Sequence, residues 1–216
     1  MLNKTLIIGT MISIIALTGC STGQSTNVKT ESESTKQVSV STSSQTESTE
    51  AYNTATTSKI DFDTLFPSKE IRDYAKGVIG LKAPDFKLTN LEGKEVQLSD
   101  FKGKDLIIEV VQTTCSACIQ AQPEMDKFKQ EHPDIPLVQV FPMENIVTIR
   151  DFLKNLNSPE HSNVLTGESG NTFVRDYKTK WTPTLYFVNK EGVISFLHVG
   201  NTDSNSIADM TKLAFK

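Results

Sequence analysis

Cysteine, histidine and any excess of one charge are what this sequence has little of. Three cysteines in 216 residues are too few to staple a disulfide-rich miniprotein. They are also too few, and wrongly spaced, for a zinc site built on four thiolates, and His132, His161 and His198 offer no paired spacing to complete one. No metal and no organic cofactor is expected. Lys and Arg number 22 against 26 Asp and Glu, with the signs evenly scattered. A net charge of −4 without a basic stripe leaves no electrostatic footprint for a phosphate backbone, so no nucleic-acid partner is expected. The apolar run from Leu6 to Leu17 falls short of the ~20 residues that span a bilayer. No internal repeat is visible.

That short run follows Lys4 and has the length and flank of the apolar region of a secretory signal. It ends in Leu17-Thr18-Gly19-Cys20, which resembles a bacterial lipobox: small residues ahead of a cysteine that is lipidated and becomes the mature N-terminus. The resemblance implies a signal peptide over residues 1–19, lipidation at Cys20, and a protein anchored on the extracytoplasmic face of the cell membrane. An uncleaved anchor helix with an incidental Cys20 is the other reading, and it too leaves an exported, tethered protein. Several acyl chains would hold firmly where one holds only marginally. Residues 21–59 contain 20 Ser or Thr and few apolar side chains. Such a stretch cannot bury enough surface to offset its ordering entropy, so residues 20–59 read as a lipid-anchored, disordered linker with an end-to-end distance of roughly 35 Å. A glycosylated stalk or adhesive tail is the alternative.

Apolar density returns at Ile60, and residues 60–216 have the size of one domain. Phe86–Thr89 and Lys94–Leu98 alternate around Asn90-Leu91-Glu92-Gly93 as a hairpin does. Leu106–Val111 is nearly continuous apolar, the pattern of a buried parallel strand. The expected elements that follow are a helix over Ser116–Glu131 with Pro123 as a kink, a strand over Leu137–Phe141, a helix over Val147–Leu156 and a short helix over Asn171–Tyr177. A second hairpin, Thr184–Val188 with Val193–His198, and a last helix, Ser206–Phe215, close the chain. This order predicts an α/β domain, a central mixed sheet with helices on both faces.

Cys115-Ser116-Ala117-Cys118 lies where the buried strand gives way to the first long helix. Two residues between the cysteines, inside a helical first turn, bring the sulfurs within bonding reach, so the pair can cycle between dithiol and disulfide. Cys115 at the helix N-terminus would meet unpaired N–H groups and the positive end of the macrodipole, and thiols so placed drop from about 8.5 to ~3.5–7.5. Cys118, one turn in, would be shielded and act as the resolving thiol. By itself the motif also fits a structural disulfide or a thiolate site for Cu(I) in a non-enzymatic lipoprotein. Glu109 between Ile108 and Val110 reads as a buried carboxyl able to exchange protons near neutrality; the alternative is an edge residue facing solvent.

In these residues the chain resembles the thioredoxin superfamily, specifically its membrane-tethered TlpA/ResA-like branch, over roughly residues 80–216. Ala83-Pro84-Asp85-Phe86, Gly93-Lys94 and Leu98-Ser99-Asp100-Phe101 are similar to that branch's N-terminal hairpin extension. Glu109 falls six residues before Cys115, where thioredoxins carry a buried acid, and Pro123 falls at their helix kink. Trp181-Thr182-Pro183-Thr184 resembles the family's cis-proline loop, which presents a backbone edge to a substrate peptide. The resemblance implies a thioredoxin-like fold and thiol-disulfide exchange with exported proteins. Cys115, Cys118 and Glu109 would be catalytic, Thr182, Pro183 and Thr114 would line the substrate surface, and a membrane protein would supply or take electrons.

The sequence also departs from the family. Thr114 stands where a Trp usually precedes the first cysteine, and Ser116-Ala117 replaces the common Gly-Pro or Glu-Pro. Glu109 resembles oxidising DsbA-type proteins, whereas the hairpin and Thr182 resemble reducing TlpA/ResA-type ones, so the two likenesses point in opposite directions of electron flow. A peroxiredoxin needs a Pro seven and a Thr three positions before its cysteine; Ile108 and Gln112 stand there. A copper-delivering Sco-like protein needs three residues between its cysteines, one more than here.

Overall fold

The continuous apolar run forms the middle of the domain because both of its faces are covered. In the computed structural model, which describes residues 60–66, 68–167 and 172–216, β3 (Leu106–Val110) is buried at every position. Residues 1–59, with the expected signal peptide, Cys20 and linker, lie outside the described residues. Strand β3 pairs in parallel with β4 (Leu137–Pro142) and antiparallel with β6 (Thr184–Val188). Covered on both faces, these strands need no polar alternation, which is why they read as nearly continuous apolar segments, broken by Glu109, Gln139 and Thr184.

Seven strands form one mixed sheet in the order β2-β1-β5-β4-β3-β6-β7. The N-terminal hairpin, β1 (Lys87–Asn90) and β2 (Glu95–Gln97), forms one edge, and β7 (Ile194–Val199) forms the other. Asn90 closes the first hairpin: its side-chain oxygen accepts from the Glu92 and Lys94 amides, while Gly93 takes φ 79°, a value that favours glycine. Leu98, expected to end the second hairpin strand, instead begins a 3-10 turn, Leu98–Phe101, at whose start Gln97 and Asp100 cap one another.

One sheet member was not expected from sequence. β5 (Val164–Gly167) lies parallel to β4 and antiparallel to β1, and it is the strand through which the hairpin joins the sheet. Among the described residues, two helices also precede the hairpin: α1 (Phe62–Leu65) and α2 (Lys69–Lys76). Phe66 packs on Phe196 of β7, and the Tyr74 hydroxyl meets that of Tyr186 on β6.

The remaining helices match their expected positions within a few residues: α3 (Ser116–Glu131), α4 (Ile146–Asn155), α5 (Phe173–Asp176) and α6 (Ser204–Ala214). The start of the predicted short helix, Asn171, is outside the described residues. α4 and α6 start earlier than expected because Asn145 and Asp203 cap them, accepting the Thr148 and Ser206 amides. α3 and α4 share one face of the sheet, where Cys118, Ile149, Phe152 and Leu153 cluster with Val111 and Phe141. On the opposite face, α2 reaches Tyr186 through Tyr74, and Tyr177, just after α5, packs edge-on against the same ring. Helices thus cover both faces.

Candidate active site

The site is built where β3 ends and α3 begins. Cys115 is the N-cap of α3, and its sulfur accepts the Cys118 N–H at 3.2 Å. The first turn of α3 holds no acidic side chain, so no carboxylate of the helix itself competes with an anion there. The approach loop is tied down on both sides: the Cys115 amide donates to Gln112 O at 3.1 Å, and the Thr113 amide donates to Glu144 Oε1 at 2.9 Å.

Across from the cysteines runs the segment Trp181–Thr184, with a cis Thr182–Pro183 peptide. The Cys115 thiol donates to Thr182 O at 3.3 Å, and the Thr182 hydroxyl donates to Gln112 Oε1 at 3.3 Å. The loop is fixed by its own bonds: Thr184 Oγ1 donates to Trp181 O at 2.6 Å, and the Gly200 amide donates to Pro183 O at 2.9 Å. Trp181 stands edge-on to Tyr74 with the Lys180 ammonium over both rings. A cavity of about 350 Å³ opens beside the loop, lined among others by Gln112, Met143, Lys180, Trp181 and Thr182. Thr114 is exposed next to Cys115.

The two thiols differ in kind. Partial burial works against ionisation of Cys115, but the side chains of Cys118 and Thr182 and the amides of Cys118 and Ala117 outweigh it, and the thiol is held below its ordinary value. Cys118 is 1% exposed; burial first, then the neighbouring Cys115 sulfur, push it up to about 12. Both are free thiols. The arrangement therefore presents one accessible, acidic sulfur and one enclosed, protonated sulfur three residues later. No group of three or more His, Cys, Asp or Glu among the described residues is placed to hold a metal ion.

Glu109 lies deep inside, on the central strand between Gln139 of β4 and Leu185 of β6. It is 1% exposed, so it is not an edge residue facing solvent. Burial raises its carboxyl to about 7 against the opposing hydrogen bond from Gln139, and the Asp126 carboxylate adds to the rise. Strand alternation puts Glu109 on the sheet face that α3 covers, where Gln122 also lies. Sequence reasoning brought Cys115, Cys118, Thr182 and Pro183 into one place, and the structure holds them together. It missed Gln139, Gln122 and Asp126, since a strand pairing such as Glu109 with Gln139 leaves no local sequence signal.

A mixed sheet with a parallel centre, a Cys-x-x-Cys pair opening a helix after the central strand, and a cis-proline loop facing that pair together define a thioredoxin-like domain. Comparison with known proteins gives the family: the model described as Redoxin matches residues 79–213, more than half of the chain, and the protein belongs to the redoxin family. The chain is 30% identical over 137 residues to the thioredoxin-like protein YneN of Bacillus subtilis (strain 168), covering 59% of this chain and 77% of YneN. It is 28% identical over 120 residues to the thiol-disulfide oxidoreductase ResA of Bacillus thuringiensis subsp. konkukian, a match spanning 54% of this chain and 66% of ResA. Among solved structures, the pneumococcal exposed lipoprotein thioredoxin Etrx1 from Streptococcus pneumoniae strain TIGR4 is 26% identical with a TM-score of 0.52. It covers 60% of this chain and 98% of its own.

Proposed function

We propose that the protein is an extracytoplasmic thiol-disulfide oxidoreductase that exchanges disulfides with exported proteins. The observation that carries this reading is the asymmetry of the cysteine pair: Cys115 caps α3 against the Thr182 carbonyl, and Cys118 is sealed behind it. In the reducing direction, the Cys115 thiolate attacks a partner disulfide. A Cys115–partner S–S bond forms, and the partner's other sulfur leaves as a thiolate. Cys118 then loses its proton, with Glu109 as the acceptor, and attacks the Cys115 sulfur. The intramolecular disulfide forms, and the second partner sulfur leaves with the electron pair of the mixed bond. Two electrons pass from the dithiol to the partner, and the oxidising direction is the reverse. Thr182 and Pro183 offer the edge along which the partner chain aligns, with Thr114 at the rim.

The matching relatives and neighbours bear names such as thiol-disulfide oxidoreductase and exposed lipoprotein thioredoxin, which support the same reading. We further infer that residues 1–19 are a signal peptide, that Cys20 carries the lipid, and that residues 20–59 tether the catalytic domain to the outer face of the cell membrane, where a membrane protein exchanges electrons with it. No helix among the described residues is long and apolar enough to cross a membrane.

The test is trapping. Cys118→Ala should accumulate mixed disulfides through Cys115 with a reduced-and-reoxidised model protein, and Cys115→Ala should abolish exchange. A double cysteine variant that still reduces insulin or oxidises a dithiol peptide would remove the site from these sulfurs. A reduction potential below about −300 mV would mark the bond as structural, since catalytic pairs lie roughly between −270 and −120 mV.

A further inference from the structure

The Glu109 carboxyl sits at one end of a continuous buried chain of amides. Gln139, its strand neighbour, donates from Nε2 to Glu109 Oε2 at 2.8 Å and to Gln122 Oε1 at 2.9 Å. Gln122 in turn donates from Nε2 to Ser158 Oγ at 3.0 Å and to Asp126 Oδ1 at 3.3 Å. Both glutamines are 1% exposed. Their orientation is fixed at the far side, where His161 Nε2 lies 3.1 Å from Gln139 Oε1. An amide oxygen only accepts, so His161 Nε2 carries the proton, and its Nδ1 is a buried lone pair without a partner among the described residues. Every amide hydrogen of the two glutamines is therefore committed, and the bridge ends on a carboxyl at each side.

The groups that face this bridge are few. α3 supplies Gln122, Asp126 and Lys129; β4 supplies Gln139; the segment before β5 supplies Ser158 and His161; β6 contributes the apolar Leu185 beside Glu109. Burial keeps His161 neutral above about pH 4, so it brings no positive charge near neutrality. Lys129 bears on Asp126 and His161, and the charge that bears on Glu109 is Asp126. Asp126 is half-buried, so it is the end of the bridge that communicates with solvent.

We propose that Asp126 is a positioning residue for the exchange reaction: the anion at the outer end of a Gln122–Gln139 bridge that fixes the Glu109 carboxyl on the sheet face covered by the cysteine helix. This rests on the proton-accepting part given to Glu109 above. In the resolving step the Cys118 S–H bond breaks, its proton passes to a Glu109 carboxylate oxygen, and the Cys115–Cys118 bond forms as the partner sulfur departs. The step needs Glu109 ionised beforehand, and Asp126 sets the pH at which that ionised form becomes available. Removing a like charge makes a buried carboxyl ionise at lower pH.

The experiment follows the Glu109 carboxyl carbon by NMR from pH 5 to pH 9 in the reduced full chain, alongside the pH profile of insulin reduction. Glu109→Gln assigns the resonance. Asp126→Asn should lower the Glu109 midpoint by about half a pH unit or more and move the acid limb of the exchange profile the same way. Asp126→Glu, which keeps the anion, should stay near wild type, and Asp126→Asn placed on Glu109→Gln should shift nothing further. A Glu109 midpoint unmoved by Asp126→Asn overturns the proposal while leaving exchange by the cysteines intact. A moved midpoint with an unmoved exchange profile also overturns it. If Glu109→Gln itself leaves the exchange profile unchanged, the earlier role of Glu109 fails, and that failure shows separately from any effect of Asp126.

Discussion

The cysteine pair makes a quantitative prediction about selective alkylation. Cys115 is held below the ordinary thiol value and Cys118 is raised to about 12, so the two differ by at least three pH units. The thiolate is the reactive form, and its population falls tenfold per unit below the pKa. At pH 8, Cys118 thus offers on the order of 10⁻⁴ of its population as thiolate, and Cys115 on the order of 10³-fold more. Reduced protein treated with substoichiometric iodoacetamide at pH 8 should therefore carry the label on Cys115, with Cys118 slower by about 10³-fold or beyond. Peptide mass spectrometry of timed samples measures both rates, and the unfolded chain in guanidinium, where the two should differ little, supplies the reference. The Cys115→Ser variant isolates the causes. Burial is the larger reason for the raised Cys118 value and the Cys115 sulfur a lesser one, so Cys118 should become only modestly more reactive. If the two cysteines of the native protein alkylate within tenfold of each other, the asymmetry argued from α3 is wrong. If Cys115→Ser brings Cys118 to the unfolded rate, burial is not what protects it.

Other consequences follow from single contacts. Glu109 keeps its proton to about pH 7 in the folded chain but gives it up near 4.5 when unfolded. Its share of stability is therefore full below 4.5 and is lost as pH rises through 7. Glu109→Gln should shrink the fall in unfolding free energy between pH 5 and pH 8 by roughly 2–3 kcal/mol in urea titrations; an unchanged slope would contradict the burial. Asn145→Ala removes the cap that holds the Thr148 amide at 2.9 Å and should cost about 1 kcal/mol, leaving exchange rates alone. Phe128→Ala empties a fully buried position of α3 and should cost roughly 3–5 kcal/mol, measured by thermal or urea unfolding. Asp73→Asn breaks an exposed i,i+4 pair with Lys69 and should leave the urea midpoint of unfolding unchanged.

What could be read from sequence followed the strength of local patterns. β3 and β6 announced themselves because strands covered on both faces are buried at every position and are apolar save for Glu109 and Thr184. The hairpin was visible in Asn90 and Gly93, whose side-chain bond and positive φ make the turn. β5 was not visible. Its four residues end at Gly167 and carry no alternation, since all four are buried, Thr166 among them. Its place between β1 and β4 is decided by long-range pairing. α2 was missed for the opposite reason: its sequence is largely charged, and Tyr74 and Ala75 are its buried residues. The cysteines and Pro183 carry a motif that survives in one dimension. The Glu109 surroundings carry none, because Gln122, Gln139 and the Ser158–His161 segment come from three places in the chain and meet only through sheet register and the packing of α3.

In the proposed exchange, those two classes of residue act on one reaction at different depths. Attack by Cys115 needs an exposed sulfur that ionises easily, and one helix terminus with the Thr182 loop provides it. Resolution by Cys118 needs a sulfur that stays protonated until the mixed disulfide exists, since an ionised Cys118 would compete for the incoming bond. Burial among Val111, Phe141, Ile149 and Leu153 provides that. A thiol so protected must then be deprotonated from within, and water reaches it poorly. A carboxyl that changes charge near neutrality on the same sheet face meets that need, whereas a solvent-exposed acid near its ordinary value would be too weak a base. On this proposal the cost of burying Glu109 in the central strand is tied to the protection of Cys118: a less buried second cysteine would need no internal base, and Glu109 could then be replaced by an apolar residue with a gain in stability above pH 7.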